Sequence, residues 1–259
     1  MKNAISCVRT KPEYPHECIT IGLRQAGYNV INTLEQADLV CTWNFYGRVR
    51  RFVERHPDRD HVVFERAHLG HGYIMCTEKG FNGAELKRKK YTDTSRLKKL
   101  GVDIKPWNKD GKYILVCGQR GGNYSEMAMP RDWPDRAISK IKKHSDRPII
   151  YRPHPHLCIY PKQKVEYMNS NGIFDDCLKD IYAVVVYTSS CATKAIIHGI
   201  PAFYCGPNIA IKECCSNDLA NIENPRYTDN RMEELADMSW RQWTEEEIAT
   251  GNPIKEIYS

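Results

Sequence analysis

Hydroxyl side chains follow an apolar run in the second half of the chain, where they could contact a phosphate. Residues 183–187 (AVVVY) predict a buried strand, and Thr188, Ser189 and Ser190 come directly after it. A helix is predicted from these serines to about His198. Hydroxyl groups at a helix start cap its exposed amides, and the same amides attract anions. The segment suits a diphosphate, although an ordinary helix cap between two strands explains it at least as well on its own.

A glycine-rich turn is a second candidate phosphate site. Residues 112–117 (KYILVC) predict a buried strand, and Gly118, Gln119 and Arg120 open the turn that follows. Glycines let the backbone approach a phosphate closely, and an arginine would add positive charge. The spacing matches neither G-x-G-x-x-G nor a P-loop, so a plain flexible turn remains an equal alternative.

The third candidate site follows the predicted strand at residues 148–152 (PIIYR). That strand ends in Arg152, and His154 and His156 come next on a segment stiffened by two prolines. Ligands bind at the carboxyl ends of strands in open α/β sheets. Two histidines could chelate a metal, but the sequence places no third ligand nearby. We therefore favour contacts to a phosphate or a base and expect no metal site.

A carboxylate in the first half of the chain could act as a general base. Residues 61–65 (HVVFE) predict a strand that ends in Glu65, with Arg66 directly after it. A carboxylate at a strand end that faces a cleft can accept a proton from a substrate. Alone, a surface pair between Glu65 and Arg66 is the simpler interpretation.

Segments that predict strands alternate with segments that predict helices, which is typical of parallel sheets with crossover helices. Other strands are expected at residues 4–8, 29–31, 37–43, 72–75 and 201–205, and other helices at residues 17–26, 49–54, 134–144, 231–243 and 245–249. A polar, basic linker with a surface helix is expected from Leu86 to Lys112. We predict an α/β protein with two Rossmann-like lobes, residues 1–110 and 111–259, whose parallel sheets face a cleft.

Composition limits the classes of protein to consider. The chain has 259 residues, of which 41% are apolar and 27% charged, an ordinary globular balance. No apolar stretch reaches the roughly 18 residues of a membrane span, and no secretory signal is visible, so we expect a cytoplasmic protein without membrane insertion. The net charge of +6 suits a phosphate-rich ligand or a polyanion such as DNA, and equally simple solubility. Oligomeric state is left open.

The cysteines indicate a reducing compartment. All 11 are scattered, no C-x-x-C spacing occurs, and several fall in predicted strands, among them Cys41, Cys117 and Cys205. Buried thiols explain this pattern better than a disulfide framework or a zinc site.

Two of these turns together resemble a known family. The sequence R-P-H-P (152–155) with S-S-x-x-x-x-A-x-x-x-G-x-P (189–201) is similar to GT-B glycosyltransferases. It is closest to the bacterial capsule group that includes the Kdo transferases, and to related phage-encoded glycosyltransferases. Outside these turns the resemblance is limited to short stretches. V-V-F-E-R (62–66) is similar to the family, and the phage relatives are resembled by T-W-N-F-Y-G (42–47), G-F-N-G (80–83) and Q-W-T-E-E-E-I-x-x-G (242–251).

The resemblance implies a GT-B-like fold whose second lobe binds a nucleotide-sugar, expected to be UDP-linked, with no cofactor and no bound metal. The implied contacts to the donor are Gly118, Gln119, Arg120, Arg152, His154, Thr188, Ser189, Ser190 and Lys194. Lys194 stands where many GT-B proteins carry a glutamate that holds the ribose of the nucleotide. A lysine there could contact a phosphate in place of the ribose. Glu65 matches the position of the catalytic base.

The acceptor is expected to lie in the first lobe. Its candidate contacts are Trp43, Asn44, Tyr46, Arg66 and His68, bordered by Phe45 and the basic run from Lys87 to Lys90. Phage relatives and the positive charge suggest a hydroxymethylated pyrimidine in DNA, which would have to be extruded from the duplex. A capsule or other glycan is the alternative acceptor. A non-catalytic nucleotide- or DNA-binding module and a nucleotide-sugar epimerase are the rival classes.

Overall fold

A computed structural model describes residues 1–11, 13–43, 47–78, 90–119, 128–156, 159–168 and 174–258. The chain divides into two compact units. Unit 1 comprises Met1–Gly101 and Ala236–Ser259, and unit 2 comprises Val102–Leu235.

Unit 1 is built on a six-stranded sheet. Its strands are β1 (Asn3–Ser6), β2 (Asn29–Val30), β3 (Leu39–Trp43), β4 (Asp60–Arg66), β5 (Ile74–Glu78) and β11 (Gln242–Trp243). They lie in the order β11-β5-β4-β3-β1-β2. Strands β1 to β4 are parallel, whereas β5 runs antiparallel to both β4 and β11. The sheet is therefore mixed at one edge, where the sequence predicted parallel strands.

Helices pack on both faces of this sheet. They are α1 (His16–Gln25), α2 (Gly47–Arg55), α3 (Ser95–Lys99), α7 (Glu245–Ala249) and α8 (Asn252–Tyr258). Apolar residues of α1, α7 and α8 share a buried cluster with Cys41 and Phe64, while α2 packs beside Ile5 and Val40. A Cβ on Gly22 of α1 would lie 2.2 Å from the Ile248 carbonyl oxygen of α7, so only glycine permits this close approach.

Unit 2 is built on a wholly parallel five-stranded sheet. Its strands are β6 (Tyr113–Cys117), β7 (Ile149–Arg152), β8 (Glu166–Tyr167), β9 (Ile181–Val186) and β10 (Ala202–Tyr204). They lie in the order β10-β9-β6-β7-β8. The near-continuous apolar run of β9, all six residues of which are buried, is typical of a strand covered on both faces.

The helices of unit 2 are α4 (Trp133–Ile141), α5 (Cys191–Ile197) and most of α6 (Arg231–Ser239). Apolar side chains of α4 pack on one face of the sheet with Ile114, Val116 and Tyr151. Alternation along a strand then directs Cys117 and Arg152 to the opposite face, where α5 connects β9 to β10. The sheet therefore separates α4 from α5.

The C-terminal segment packs in unit 1, which corrects the predicted assignment of residues 236–259 to the second lobe. The helix expected at residues 231–243 ends at Ser239. Gln242 and Trp243 pair instead with β5, and the Cys76 N–H donates to the Arg241 carbonyl oxygen at 2.9 Å. Pairing with a distant strand overrides the local helical preference.

The glycine of the S-S…G-x-P pattern is Gly199, which lies just after the end of α5. Gly199 has a φ of +72°, and a Cβ there would lie 1.8 Å from the Pro106 carbonyl oxygen. The Lys105 and Asn108 N–H groups donate to the carbonyl oxygens of Ile197 and Gly199. Residues 102–110, expected to belong to the linker, therefore pack within unit 2.

Candidate functional site

The carboxyl edge of the unit 2 sheet contains a topological switch point. From β6 the chain continues to β7 on one side, and from β9 it continues to β10 on the other. Open α/β sheets bind ligands in the crevice outside the strand ends at such a point. Gly118 and Gln119 directly follow β6, and the turn from Tyr187 to Ser190 follows its neighbour β9. The predicted phosphate turns thus converge in one place.

Gln119 and Thr188 are bonded to each other across this switch point. The Gln119 side-chain amide donates to the Thr188 hydroxyl at 2.7 Å, and the Thr188 backbone N–H donates to the Gln119 side-chain oxygen at 3.0 Å. Thr188 is buried. These contacts join the ends of β6 and β9, so the pair shapes the edge of the sheet.

Gly118 also has a structural reason to be a glycine. A Cβ at this position would lie 2.3 Å from the Tyr151 hydroxyl, which itself donates to the Ile159 carbonyl oxygen at 2.6 Å. The Gly118 N–H donates to the Arg152 carbonyl oxygen at 2.8 Å. The glycine therefore lets the end of β6 pass close to β7.

Two cations lie around one aromatic ring beside the switch point. The Arg152 guanidinium carbon is 5.4 Å and the Lys194 ammonium nitrogen 6.0 Å from the centre of the Phe174 ring. Arg152 ends β7 and is only 9% exposed, and Lys194 lies on α5. A ring face attracts a cation but carries no net negative charge, so it does not neutralise the two positive groups. This part of the edge is suited to an anion.

The two serines have different local contacts. The Ser189 hydroxyl accepts the Cys191 N–H at 3.2 Å, a local bond that satisfies one exposed amide at the helix start. Ser190 is the N-cap residue of α5, and among the described residues its side chain makes no capping hydrogen bond. Both serines are partly exposed at the edge. Ser190 therefore has the hydroxyl better placed for a ligand.

His154 follows β7 at the same edge and is partly exposed. Its Nδ1 accepts the His156 N–H at 3.0 Å, a bond that fixes the ring within the proline-stiffened turn. Arg120, the remaining predicted donor contact, lies outside the described residues.

Unit 1 carries the predicted base and part of the acceptor set. Glu65 and Arg66 are the last two residues of β4, where they pair with Met75 and Ile74 of β5. Glu65 is partly exposed and Arg66 exposed. Trp43 ends the neighbouring β3 and packs edge-on against Tyr14 at 6.0 Å. The structure therefore brings Trp43, Glu65 and Arg66 to the ends of two adjacent parallel strands.

His68 lies in the turn after β4 and is uncharged at neutral pH. Desolvation lowers the pKa of its imidazole to about 4. It can therefore offer hydrogen bonds to an acceptor but no positive charge. Asn44, Phe45, Tyr46 and the G-F-N-G segment at 80–83 lie outside the described residues, as do residues 87–89 of the basic run.

Two general features complete the description. Within the described ranges, no group of three or more His, Cys, Asp or Glu side chains could hold a metal ion, and none of the helices has the length and apolar character needed to cross a bilayer. Asp58 and Asp60 have the D-x-D spacing, in which two carboxylates could hold a metal ion. Asp60 is the first residue of β4, so these carboxylates lie at the opposite end of the strand from Glu65. Arg59 lies 3.8 Å from the Asp58 carboxylate.

Sequence reasoning missed Phe174 and Cys191 at the unit 2 site. Phe174 reaches Arg152 and Lys194 only through the tertiary fold, and no local pattern marks it. Cys191 had a signal, because it is the first residue of the helix that follows Ser189 and Ser190.

Comparison with known proteins supports the class of fold. No protein-family model matches the chain, and no curated protein matches it in sequence. The two units, each with a largely parallel sheet and flanking helices, define an α/β protein of GT-B-like fold with two Rossmann-like lobes.

Two solved structures share this fold. The beta Kdo 2,4 transferase KpsC of Thermosulfurimonas dismutans is similar with a TM-score of 0.60 and 10% identity, over 91% of this chain and 89% of that chain. The beta Kdo 2,7 transferase KpsC of the same organism is similar with a TM-score of 0.53 and 13% identity, over 99% of this chain and 100% of that chain. At such low identity, the likeness establishes the fold alone.

Proposed function

We propose that this chain is a glycosyltransferase that takes a sugar from a nucleotide-sugar, with the donor diphosphate bound at the switch point of unit 2. The observation that carries the proposal is the pair of cations, Arg152 and Lys194, around Phe174 at the carboxyl edge of the sheet. A diphosphate would supply the negative charge that these groups favour, and Ser190 would donate a hydrogen bond to it. The fold shared with two Kdo transferases supports this proposal.

In the proposed reaction, an acceptor hydroxyl oxygen forms a bond to the anomeric carbon of the sugar. The bond from that carbon to the phosphate oxygen breaks, and its electron pair leaves with the nucleoside diphosphate. Glu65 accepts the proton of the acceptor hydroxyl. Arg152 and Lys194 stabilise the charge that develops on the departing phosphate. Gln119, Thr188 and Gly118 act by holding the strand ends in place, and His154 contacts the donor from the turn after β7.

We favour a carbohydrate acceptor over DNA. The two similar structures are transferases of the sugar Kdo, and no described contact selects a nucleic acid. A hydroxymethylated base in DNA remains the second candidate, and the net charge of +6 is the observation that favours it. Binding to DNA would weaken steeply as salt rises, because counterions re-condense on the phosphates. A carbohydrate acceptor would show little such dependence.

The test of this proposal is the variant Glu65→Gln, which keeps the shape of the side chain but cannot accept a proton. With a panel of UDP- and GDP-sugars and with glycan or DNA acceptors, we expect turnover to fall on the order of a hundredfold. Donor affinity by calorimetry should stay unchanged, since Arg152 and Lys194 hold the donor. The matched control is Glu54→Gln, which removes a surface carboxylate of α2 paired with Arg50 at 2.6 Å.

Three outcomes would contradict parts of this proposal. Full activity of Glu65→Gln would remove Glu65 as the base. Release of nucleotide at the same rate with and without any acceptor would indicate hydrolysis or epimerisation instead of transfer. Loss of transfer in excess EDTA that magnesium or manganese restores would contradict our expectation of metal-independent chemistry.

A further inference from the structure

A cavity of about 660 Å³ lies at the amino edge of the unit 2 sheet. Its lining includes Lys112, which directly precedes β6, and Pro148, which directly precedes β7. These strands are parallel neighbours, with Ile114 opposite Ile149, so their starts lie side by side. The candidate donor site follows the carboxyl ends of the strands and therefore lies at the opposite edge of the sheet. The cavity is a separate site.

Positive side chains dominate the lining of this cavity. Its charged residues are four cations and two carboxylates, a net charge of +2: Lys112, Lys142, Lys143, Arg147, Asp146 and Glu223. An adjoining cavity of about 290 Å³ shares Lys142 and Arg147 and adds a further cation, Lys164. Clefts lined mainly by one sign of charge focus the electrostatic field and concentrate ions of the opposite sign. The lining therefore favours an anion.

The arginine of this cavity is held in place by three groups. The Arg147 Nε donates to both carboxylate oxygens of Glu223, at 3.1 and 3.0 Å, and its Nη1 donates to the Gly111 carbonyl oxygen at 2.6 Å. Its guanidinium carbon lies 3.7 Å from the centre of the Tyr182 ring. The Nη2 atom makes no hydrogen bond to any of the described residues. A ligand could therefore use this donor without paying to order the side chain.

The lysines of the two cavities are exposed and are not neutralised by a carboxylate. Lys143 and Lys164 make no hydrogen bond or ion pair with the part of the chain that the structure describes. The Lys112 ammonium lies 4.9 Å from the centre of the Tyr113 ring, which is uncharged. Lys142 donates to a neutral side-chain amide at 3.2 Å. Their charges are thus available to a ligand.

Stabilisation of α4 explains only part of this cluster. The helix ends at Ile141, and cations just after a helix interact favourably with its carbonyl end. That effect accounts for Lys142 and Lys143. It does not account for Lys112 or Arg147, which reach the same cavity from the starts of two strands.

We propose that this cavity is a binding site for a polyphosphate anion, which is either free pyrophosphate or the phosphate chain of a nucleotide. Its volume lies within the range of about 300–1,000 Å³ that is usual for small-molecule sites. Lysine ammonium groups and an arginine N–H form charge-assisted hydrogen bonds with phosphate oxygens. Among the described residues that line it there is no Phe, Tyr or Trp, so the site recognises the phosphates and not a base. This proposal is independent of the proposed function.

The test is calorimetric titration of the full chain with pyrophosphate. The double variant Lys112→Gln with Lys143→Gln removes two cations that hold no carboxylate, so the fold should be kept. We expect the affinity to fall about tenfold or more, because charge-assisted contacts are lost. The control with the same loss of charge is Lys140→Gln with Lys212→Gln, two exposed lysines of unit 2 outside the cavity, and it should leave the affinity unchanged.

Further titrations separate the cavity from the donor site and the two phosphate sources from each other. Arg152→Met should leave pyrophosphate binding at the cavity intact, whatever it does to nucleotide binding at the proposed donor site. In that background we expect ADP to bind about as tightly as pyrophosphate, and adenosine not to bind. Tight binding of ADP alone would assign the phosphate chain of a nucleotide, and tight binding of pyrophosphate alone would assign the free anion.

Four results would overturn the proposal. These are no binding of either phosphate ligand, equal losses of affinity in the double variant and its control, loss of pyrophosphate binding in Arg152→Met alone, and binding of adenosine that depends on Lys112 and Lys143. The second would mean that net charge alone attracts the anion. The third would place the phosphate at the carboxyl edge of the sheet. Failure of the proposed glycosyl transfer would leave the cavity assignment standing.

Discussion

Two buried arginines, one in each unit, are held in different ways. Arg96 of α3 is 7% exposed and donates to the Gln242 carbonyl oxygen at 2.5 Å, to the Ser239 carbonyl oxygen at 3.0 Å and to both oxygens of Glu247. Its guanidinium also lies 4.5 Å from the centre of the Trp243 ring. Arg152, at 9% exposure, lies 5.4 Å from the centre of the Phe174 ring, and a second cation, Lys194, lies 6.0 Å from the same centre.

This difference separates a structural motif around Arg96 from the proposed ligand site around Arg152. The charge of Arg96 is balanced by Glu247. Burial raises the pKa of that carboxyl, but the hydrogen bonds from Arg96 and the Thr244 backbone, together with the charges of Arg96 and Lys99, hold it below its usual range. Thr244 and Glu247 also form a capping box that starts α7. The Q-W-T-E-E-E sequence therefore fastens the C-terminus to unit 1. Arg152 instead shares the Phe174 ring with a second cation, Lys194, and we propose that this pair binds an anionic ligand.

The largest expected effect in this comparison is on the stability of unit 1. Arg96→Met should lower the free energy of unfolding by about 3 kcal/mol or more, since it leaves Glu247 and two carbonyl oxygens without their partner. Because the Glu247 pKa is lowered in the folded chain, this stabilisation should be present above about pH 4.3 and fade as the pH falls below it. Urea denaturation followed by hydrogen exchange of the α7 amides measures the loss.

The matched control for Arg96→Met is Lys99→Met. Lys99 approaches the same carboxylate of Glu247 at 3.9 Å, but its side chain is 66% exposed. An exposed pair of this kind contributes at most about 1 kcal/mol, so the control should lose far less stability. Equal losses in the two variants would mean that net charge near Glu247, and not the buried contacts of Arg96, holds the C-terminus.

The next largest effect is on ligand binding in unit 2. Arg152→Met should weaken binding of a nucleoside diphosphate by about 1.5–3 kcal/mol, or roughly 10- to 150-fold, through loss of a charge-assisted contact. Calorimetry measures the change. The control is Arg136→Met, which removes an exposed arginine of α4 paired with Asp132 at 3.1 Å and should leave affinity unchanged. If Arg152→Met destabilises the chain as much as Arg96→Met and binds the nucleotide with normal affinity, then Arg152 is a structural residue and not a ligand contact.

Local sequence signals were sufficient to predict the strands of unit 2 and the order in which the candidate phosphate turns follow them. The strands expected at residues 112–117 and 148–152 lie at Tyr113–Cys117 and Ile149–Arg152, and their carboxyl ends meet as the parallel pattern requires. The apolar run of β9 and the hydroxyls after it were equally clear. Parallel strands are easier to predict from sequence because each one is a short apolar run. The candidate phosphate turns are then found directly after these runs.

Tertiary contacts decided what the sequence could not predict. Gln119 was expected to bind phosphate, yet its amide is bonded to Thr188, 69 residues away. The local sequence predicts helix at residues 242–243, because no local signal indicates that they pair with β5. The Q-W-T-E-E-E sequence contains the capping box of Thr244 and Glu247, but nothing local marks Arg96, 151 residues away in the chain, as the partner of Glu247.

The smallest expected effect separates the roles of two adjacent serines at the proposed donor site. Ser189 accepts the Cys191 N–H at 3.2 Å, whereas Ser190 makes no capping bond among the described residues. Ser190→Ala should therefore weaken diphosphate binding by about 0.5–1.5 kcal/mol, the net worth of one hydrogen bond, with little change in stability. Ser189→Ala should cost about 1 kcal/mol of stability through loss of its hydrogen bond to the Cys191 amide, with a smaller change in affinity. For both variants, calorimetry measures the affinity for the diphosphate and thermal denaturation measures the stability. A reversed pattern would place the phosphate contact at Ser189, and two variants with unchanged affinity would move the donor away from the start of α5.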